Sequence, residues 1–279
     1  MLRIITLMEN HPSENKALKN EHGLSFYIEA QGIKLLFDCG GGEGFLYNAR
    51  KLGTDLRRLD GVVLSHNHYD HAAGYRDLME SGNPCRVLYT GKGFFERKYA
   101  SSDGLKFCDL SSGLDQAFLK ERGIEQRVCN GSLKLGEGVW LEGGFQRSHS
   151  FETIPGRFFR QTDRGMELDG FWDEICLTAE TRQGLVMVAG CSHPGILNMA
   201  KTVMERHKRP VWAVLGGTHL VEADEKRINA TMDELEAMGT KVLAICHCSG
   251  EKALGAAEGH PGLKLCQLSV GDSMVLDPW

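Results

Sequence analysis

The chain has 279 residues, enough to bury a sizeable hydrophobic core, and its 42% hydrophobic and 25% charged residues are typical of a soluble globular protein. Its net charge of −5 argues against a general nucleic-acid-binding protein, because such proteins usually carry a basic excess. No apolar run reaches the roughly 18 residues that a membrane helix needs, and no signal peptide begins the chain, so we expect a cytoplasmic protein without a membrane partner.

The first half of the chain is predicted to contain short strands, hairpins and helices. In order, the pattern predicts a strand at 1–8, a hairpin at 26–29 and 33–37, a helix at 45–52, a strand at 61–64, a helix at 74–80, a strand at 86–89, loops at 94–113, a helix at 114–122 and a hairpin at 132–135 and 139–142. Asp38, at the end of a predicted buried strand, is too polar for a core position.

Residues 143–170 do not continue this pattern of short strands, hairpins and helices. The segment lacks a clean period and carries four arginines, Arg147, Arg157, Arg160 and Arg164. Long irregular insertions in compact domains often serve as binding loops or lids. We expect a lid over the functional site, the alternative being a solvated surface insertion whose arginines pair with nearby acids.

The second half of the chain repeats the organisation of the first. It predicts a hairpin at 175–179 and 185–189, a helix at 196–206, a strand at 211–215, a helix at 225–238, a strand at 241–246, a short helix from 252 and two terminal strands. Both halves begin with hairpins and continue with strand–helix alternation. Because no linker rich in Pro or Ser divides them, we expect one α/β (α+β) domain over residues 1–279.

Four metal-binding side chains crowd the loop after the predicted strand at 61–64. His66 and His68, two residues apart, can point the same way in an extended segment, and the adjacent Asp70 and His71 can serve a second ion. Imidazole and carboxylate ligands suit zinc, iron or manganese. This density directly after a buried strand favours a metal site over a histidine-rich surface loop without metal.

The pattern His-x-His-x-Asp-His after a short strand resembles the signature of the metallo-β-lactamase superfamily. Four further segments resemble one of its branches, commonly labelled 7,8-dihydropterin-6-methyl-4-(β-D-ribofuranosyl)aminobenzene-5′-phosphate synthase-like. These segments are Glu21-His22-Gly23-Leu24-Ser25, Gly190-Cys191-Ser192-His193-Pro194-Gly195, Gly216-Gly217-Thr218-His219-Leu220 and His247-Cys248-Ser249-Gly250.

The resemblance implies a four-layer αβ/βα sandwich, two mixed sheets with helices outside. It also implies two divalent transition-metal ions, zinc first and iron or manganese as alternatives. One ion would be held by His66, His68 and His193, and the other by Asp70, His71 and His247. Asp38 would support the metal loop through hydrogen bonds.

One position departs from the superfamily pattern. Many members carry an aspartate that bridges the two ions, and here Cys191 stands in its place. Cysteine thiolate can also bind zinc or iron, so either Cys191 is a further ligand or water alone forms the bridge. His219 is expected to line the substrate side, the alternatives being a direct metal ligand or a residue that supports one. His149 is a weaker candidate, either as a lid residue or as an alternative ligand, and His22 is a candidate to approach the pocket.

These residues predict a metal-dependent hydrolase. Asp70 would orient the attacking water and carry its proton, and His219 would donate a hydrogen bond to substrate. A phosphate-bearing small molecule is the favoured substrate, because arginines of 143–170 could bind an anion. The competing prediction is an iron-bound redox or oxygen-sensing protein on the same fold, and a metal-free binding module is a third possibility.

Overall fold

The computed structural model describes residues 2–276. Met1, where the first predicted strand was expected to begin, and residues 277–279 lie outside the described part. The strands are β1 Leu2–Met8, β2 Ser25–Ala30, β3 Ile33–Phe37, β4 Gly61–Val63, β5 Val87–Gly91, β6 Lys98–Ala100, β7 Cys108–Asp109, β8 Glu125–Cys129, β9 Ser132–Gly136, β10 Val139–Glu142, β11 Phe158–Thr162, β12 Gly165–Leu168, β13 Cys176–Glu180, β14 Leu185–Ala189, β15 Val211–Gly216, β16 Val242–Ile245, β17 Lys264–Gln267 and β18 Ser273–Leu276. The helices are α1 Gly44–Lys51, α2 Tyr69–Ala72, α3 Gly74–Glu80, α4 Gln116–Glu121, α5 Ile196–His207, α6 Glu225–Ala237 and α7 Glu251–Glu258.

Two seven-stranded mixed sheets form the centre of the fold. The first has the order β18-β1-β2-β3-β4-β5-β8, and the second has the order β17-β16-β15-β14-β13-β10-β9. In each sheet an antiparallel part leads into a parallel part, which begins at the β3–β4 pair in the first sheet and at the β14–β15 pair in the second. The two sheets therefore have matching internal architecture.

The sheets pack face to face, and helices cover their outer faces. Strand β14 contributes to two cores, because alternate side chains of a strand point to opposite faces of the sheet. Val186 and Val188 pack in the core shared by the two sheets. Leu185 and Met187 pack in a second core with side chains of α5, α6 and α7. A third core joins the first sheet to α1, α3 and α4.

This four-layer α/β arrangement confirms the predicted fold class. The predicted helices and hairpins lie close to their expected positions, but the short helix α2 and two features of the sheets were missed. Strand β8, at the edge of the first sheet, has a mostly polar and exposed sequence and pairs only with β5 among the described strands. An edge strand needs no continuous apolar run, so hydrophobic periodicity gave no signal.

The second missed feature is a small third sheet of order β12-β11-β6-β7. It joins the predicted loops at 94–113 to the irregular segment at 143–170, so the expectation that these segments lack strands was wrong. Its strands have only two to five residues, and just two of these residues, Lys98 and Phe158, are buried, so hydrophobic periodicity gives no signal for them. A bridge between His68 and Ser111 links the start of the metal loop to this region. The lid role of 143–170 stays a prediction.

No helix in the described range 2–276 is long and apolar enough to cross a membrane.

Candidate metal centre

The candidate ligands follow the carboxyl ends of strands from both large sheets. His66 follows β4, His193 follows β14, and His247 follows β16, and these three strands belong to the parallel parts of the sheets. Loops after parallel strands collect at one edge of a sheet, where open α/β sheets generally place their ligands. The two sheets meet face to face, so their loops converge on one site.

The first predicted ligand set, His66, His68 and His193, is assembled as expected. One ring nitrogen from each residue lies within 4.8 Å of the others, and His66 Nε2 is 3.1 Å from His68 Nδ1. All three rings are buried, and burial lowers the pKa of each well below its usual value. They are therefore neutral at pH 7, the form in which imidazole binds metals.

The surroundings of His193 indicate whether a metal ion fits this first set. Neither of its ring nitrogens has a hydrogen-bond partner among the described residues, although both are buried. Such an orphaned polar group costs about 1–3 kcal/mol, a cost that a bound cation would remove. The three histidines therefore fit a divalent transition-metal ion.

The second predicted set, Asp70, His71 and His247, also comes together. Asp70 Oδ2 is 3.3 Å from His247 Nε2 and 3.8 Å from His71 Nε2, and the two Nε2 atoms are 3.1 Å apart. His22 joins them, with its Nε2 3.1 Å from Asp70 Oδ2. His247 Nδ1 lies 3.0 Å from Asn10 Oδ1, so its proton is held there and Nε2 turns its lone pair toward His71. Two facing lone pairs require a proton or a metal ion between them.

Asp38 hydrogen-bonds to the segment that carries the ligands, at the position where the family resemblance implied a residue supporting the metal loop. Its carboxylate accepts hydrogen bonds from the Ser65 amide, the Ser65 hydroxyl and His71 Nδ1, each at 2.7 Å. Since the Ser65 hydroxyl donates to Asp38, it accepts from His66 Nδ1 at 2.9 Å. Both imidazoles thus present Nε2 to the site. Burial lowers the pKa of His71, but the charges of Asp38 and Asp70 raise it to about 9, so a positive charge is favoured here.

Two buried glutamates hold the backbone of the other ligand loops. Glu174 accepts hydrogen bonds from the amides of Ser192 and His193, the latter at 2.8 Å, and Glu9 accepts from the amide of His247. Burial raises the pKa of both glutamates, that of Glu174 to about 8, against the lowering effect of these amides. Both positions were missed, because a single acid beside a strand carries no pattern.

Backbone strain is concentrated at the centre. Seven non-glycine residues in the described range have positive φ, and four of them are Asp38, Ser192, His219 and His247, at 57°, 63°, 49° and 54°. Such conformations cost of order 1–3 kcal/mol each and persist where the surroundings determine them. Hydrogen bonds with Glu9, Glu174 and Ser65 provide that determination for His247, Ser192 and Asp38.

Cys191 lies between the two ligand sets. Its Sγ is 3.1 Å from His71 Nε2 and belongs to one cluster with His66 and His71 and to another with His247 and Cys248. The thiol therefore occupies the place between the sets, as the sequence predicted. Whether it binds an ion stays a prediction. Cys248 was missed, although it directly follows His247.

The two sets lie at the base of a cavity of about 310 Å³. His219 lines it, as predicted, with its ring centroid 4.2 Å from that of His193. Burial lowers the pKa of His219 to about 4, so the ring is neutral at pH 7 and can donate one N–H. His149 lies elsewhere, with Nε2 3.7 Å from Glu234 and Nδ1 beside Asn198, so its role as a ligand is not supported. The chain also has a larger cavity of about 520 Å³ beside α1, but no His or Cys lines it.

Of the four arginines of 143–170 that were considered for anion binding, the structure places one at the cavity. Arg157 lines the cavity, with its guanidinium 4.1 Å from the centroid of the Phe158 ring. Arg160 is held by two carboxylates at 2.9 and 3.1 Å, and Arg147 donates to a backbone carbonyl. Arg164 is exposed in the turn between β11 and β12. Among residues 2–276, Arg157 is therefore the one arginine that lines the cavity and could contact an anionic group.

Replacing Asp38 by asparagine is expected to weaken metal binding by about 10- to 100-fold, the usual effect of removing a hydrogen-bond partner of a ligand. The amide would present a donor to His71 Nδ1–H or to Ser65, and the orientation of the two imidazoles would be lost. Zinc affinity measured by competition with a chelator tests this. Asp60→Asn is the matched control, because Asp60 also accepts a backbone amide bond but is exposed. Equal zinc affinity in Asp38→Asn and Asp60→Asn would contradict the prediction.

Comparison with known proteins agrees with this geometry. Residues 19–107 match the family model described as the metallo-beta-lactamase superfamily. The chain is 31% identical over 261 residues to the 7,8-dihydropterin-6-methyl-4-(beta-D-ribofuranosyl)-aminobenzene-5'-phosphate synthase of Methanocaldococcus jannaschii, covering 90% of this chain and 89% of that protein. The chain therefore belongs to the metallo-beta-lactamase superfamily, and within it the relative is a synthase.

Solved structures show the same fold. The crystal structure of Tm1679, described as a metal-dependent hydrolase of the beta-lactamase superfamily, superposes with a TM-score of 0.86 at 26% identity, over 99% of this chain and 100% of that one. Zn(2+)-bound PqqB from Methylobacterium extorquens gives a TM-score of 0.59 at 12% identity, over 98% and 100% of the two chains. This second likeness shows the fold alone.

Proposed function

We propose that this protein is a metal-dependent hydrolase with a binuclear centre, acting on a small phosphate-bearing molecule. The observation that carries the proposal is the pair of adjacent ligand sets at the base of one cavity, where the buried ring nitrogens of His193 have no hydrogen-bond partner among the described residues. Zinc is the expected ion, and iron and manganese suit the same nitrogen and oxygen donors.

The candidate residues would have separate roles as metal ligands and as catalytic groups. His66, His68 and His193 would hold one ion, and Asp70, His71 and His247 would hold the other. Bound divalent ions lower the pKa of water toward neutrality and polarise an electrophilic oxygen. Asp70 would orient the attacking water and accept its proton, and neutral His219 would donate a hydrogen bond to the substrate oxygen on which charge develops.

Two observations favour a phosphate-bearing substrate. Arg157 is the one arginine at the cavity among the four in 143–170, and its planar guanidinium suits phosphate oxygens. The name of the 31% identical synthase includes a 5'-phosphate. The cavity of about 310 Å³ fits a small molecule or part of a larger one.

A second candidate function is synthesis on the same centre. The relative from Methanocaldococcus jannaschii is named as a synthase whose product joins a dihydropterin, an aminobenzene and a ribofuranosyl phosphate. Its similarity over 90% of the chain favours a related condensation here, in which the metal ions would activate a substrate rather than water. The two functions differ when a single organic substrate is offered. A hydrolase cleaves it with water, whereas a synthase needs a second organic substrate.

The test begins with elemental analysis of the purified protein, for which we expect about two transition-metal ions per chain. The metal-loaded protein is then offered phosphomonoester, phosphodiester, lactam and thioester probes, and we expect the phosphoesters to be hydrolysed fastest. A protein that binds no metal, even after reconstitution with zinc, manganese or iron, would refute the whole mechanism. Two bound ions with no hydrolysis of any probe would favour the synthase.

The anion-binding role of Arg157 can be tested in both directions. Arg157 makes two hydrogen bonds to Glu222, at 2.7 and 2.9 Å, so Glu222 competes with a substrate anion for the guanidinium. We expect Arg157→Ala to raise KM for a phosphoester probe about two- to fivefold, as for an exposed ion pair of up to about 1 kcal/mol, and Glu222→Gln to lower KM.

Metal content should be unchanged in both variants. Arg164→Ala is the control, because this exposed arginine lies in the same segment but away from the cavity. If KM for an uncharged ester shifts as much as KM for the phosphoester, Arg157 does not act as an anion-binding residue.

A further inference from the structure

Two thiols face the second ligand set, and the hydrolytic mechanism uses neither. Cys191 Sγ, Cys248 Sγ and a ring nitrogen of His247 lie within 4.8 Å of one another. Both cysteines are free, both line the cavity, Cys191 is buried and Cys248 is partly exposed. His247 is thus shared between a nitrogen–oxygen set, with His22 and Asp70, and this sulfur-containing set.

The fold builds this pair of thiols. Cys191 follows β14 and Cys248 follows β16, and β15 lies between these two strands. The thiols approach each other because Gly217, just after β15, has no side chain. A Cβ there would lie 2.6 Å from Cys248 Sγ and 2.5 Å from the carbonyl oxygen of Gly190. Cys248 Sγ then donates to the carbonyl oxygen of Cys191 at 3.5 Å.

We propose that Cys191 and Cys248 are ligands of the second metal position together with His247, and that they make this position selective for zinc-like ions over manganese and magnesium. This inference rests on the proposed binuclear centre and names two of its ligands and its metal preference.

The donor chemistry supports this selectivity. Zinc–sulfur bonds are about 2.3 Å long, so two sulfurs on one ion lie at most about 4.6 Å apart, and the two Sγ atoms lie within the comparable 4.8 Å spread of the cluster. Thiolates bind zinc and other soft or borderline ions well, whereas manganese and magnesium prefer oxygen. Each thiol releases its proton to solvent as it binds, so no oxidant or reductant is required. Two thiolates balance the charge of a divalent ion.

Cobalt reports thiolate ligands directly, because a thiolate–cobalt bond gives a charge-transfer absorption in the near ultraviolet. We expect this band when metal-free, full-length protein is titrated with Co²⁺ to two ions per chain. Cys248→Ser should lose about half of the band, since one of two thiolate ligands is removed, and Cys191→Ser should also weaken it. Cys266→Ser is the control, because Cys266 lies on β17 and is packed against the core between the sheets.

Two ions of Co²⁺ bound without a thiolate band would refute this inference and leave the hydrolase proposal standing, and no bound Co²⁺ would refute both. A full band in Cys248→Ser would remove Cys248 from the ligand set.

A second measurement uses the wild-type chain and so does not depend on the folding of a variant. Alkylation by iodoacetamide, followed by mass spectrometry, should label the partly exposed Cys248 in metal-free protein. Saturating Zn²⁺ should prevent this labelling, while the exposed Cys108 is labelled equally with and without zinc. Labelling of Cys248 that is indifferent to zinc would overturn the proposal.

Discussion

Asp70→Asn is expected to reduce hydrolysis of the best phosphoester probe by about 10²- to 10⁴-fold, the usual contribution of a general acid–base group. Burial alone would raise the pKa of Asp70, but the charge of His71 and a hydrogen bond from His22 lower it well below its usual value. The carboxylate is therefore ionised at neutral pH and can accept a proton. The asparagine amide of the variant has the same shape but cannot accept this proton.

Steady-state kinetics and elemental analysis of the same sample separate the two roles of Asp70. A large loss of kcat with two ions still bound indicates a proton carrier, and a loss accompanied by one missing ion indicates a ligand. Asp163→Asn is the control, because Asp163 is exposed in the turn between β11 and β12. Wild-type hydrolysis by Asp70→Asn would show that the carboxylate does neither.

The sequence predicts those ligands of the metal centre that lie close to one another along the chain. His66, His68, Asp70 and His71 lie within six positions of one another after a buried strand, so their types and spacing suffice to indicate a metal loop. His193 and His247 could be added because each also follows a strongly apolar strand, and carboxyl ends of parallel strands meet at one edge. The resemblance to a known family then assigned each of them to one half of the loop, and the structure places His193 beside His66 and His68 and His247 beside Asp70 and His71.

The residues that were underrated or missed depend on packing between distant segments. His22 follows no strand, and it reaches Asp70 only because its loop passes the end of β3 and lies against α2. Glu9 and Glu174 are single acids whose role is to accept amide hydrogen bonds from ligand loops far along the chain. The arginines of 143–170 were assigned to the cavity from position in the chain, but a strand directs alternate side chains to opposite faces, and Arg160 on β11 pairs with glutamates instead.

Lys98→Met is expected to destabilise the fold by about 3–5 kcal/mol, the usual result of breaking a buried ion pair by removing one partner. Lys98 Nζ lies 2.8 Å from Asp169 and 2.6 Å from Asp173, and all three side chains are at most 2% exposed. Burial lowers the pKa of Lys98, but the two carboxylates outweigh it and raise the pKa. Methionine fills a similar volume and leaves two buried carboxylates without their cation.

This ion pair also joins the third sheet to the metal centre. Asp173 accepts a hydrogen bond at 3.0 Å from the amide of Asn67, which lies between His66 and His68 in the chain. The Lys98 ammonium lies 5.0 Å from the centroid of Phe171, and that ring stacks on His193 at 3.8 Å. We therefore expect Lys98→Met to weaken metal binding as well as stability.

Chemical denaturation of the metal-free protein measures the free energy of unfolding, and its pH dependence identifies the cause. Burial raises the folded-state pKa of Asp173 above the unfolded value of about 3.9, against the lowering charge of Lys98, and removing Lys98 raises it further. Protonation of Asp173 then favours the folded state, and this stabilisation is lost as the pH rises through the folded pKa, so the deficit of Lys98→Met should grow as the pH rises above about 4. Arg97→Ala is the matched control, because the neighbouring Arg97 pairs with Asp109 at the surface, where such pairs contribute at most about 1 kcal/mol. A deficit in Lys98→Met no larger than that of Arg97→Ala, or one that shrinks as the pH rises, would show that the buried ion pair does not stabilise this fold.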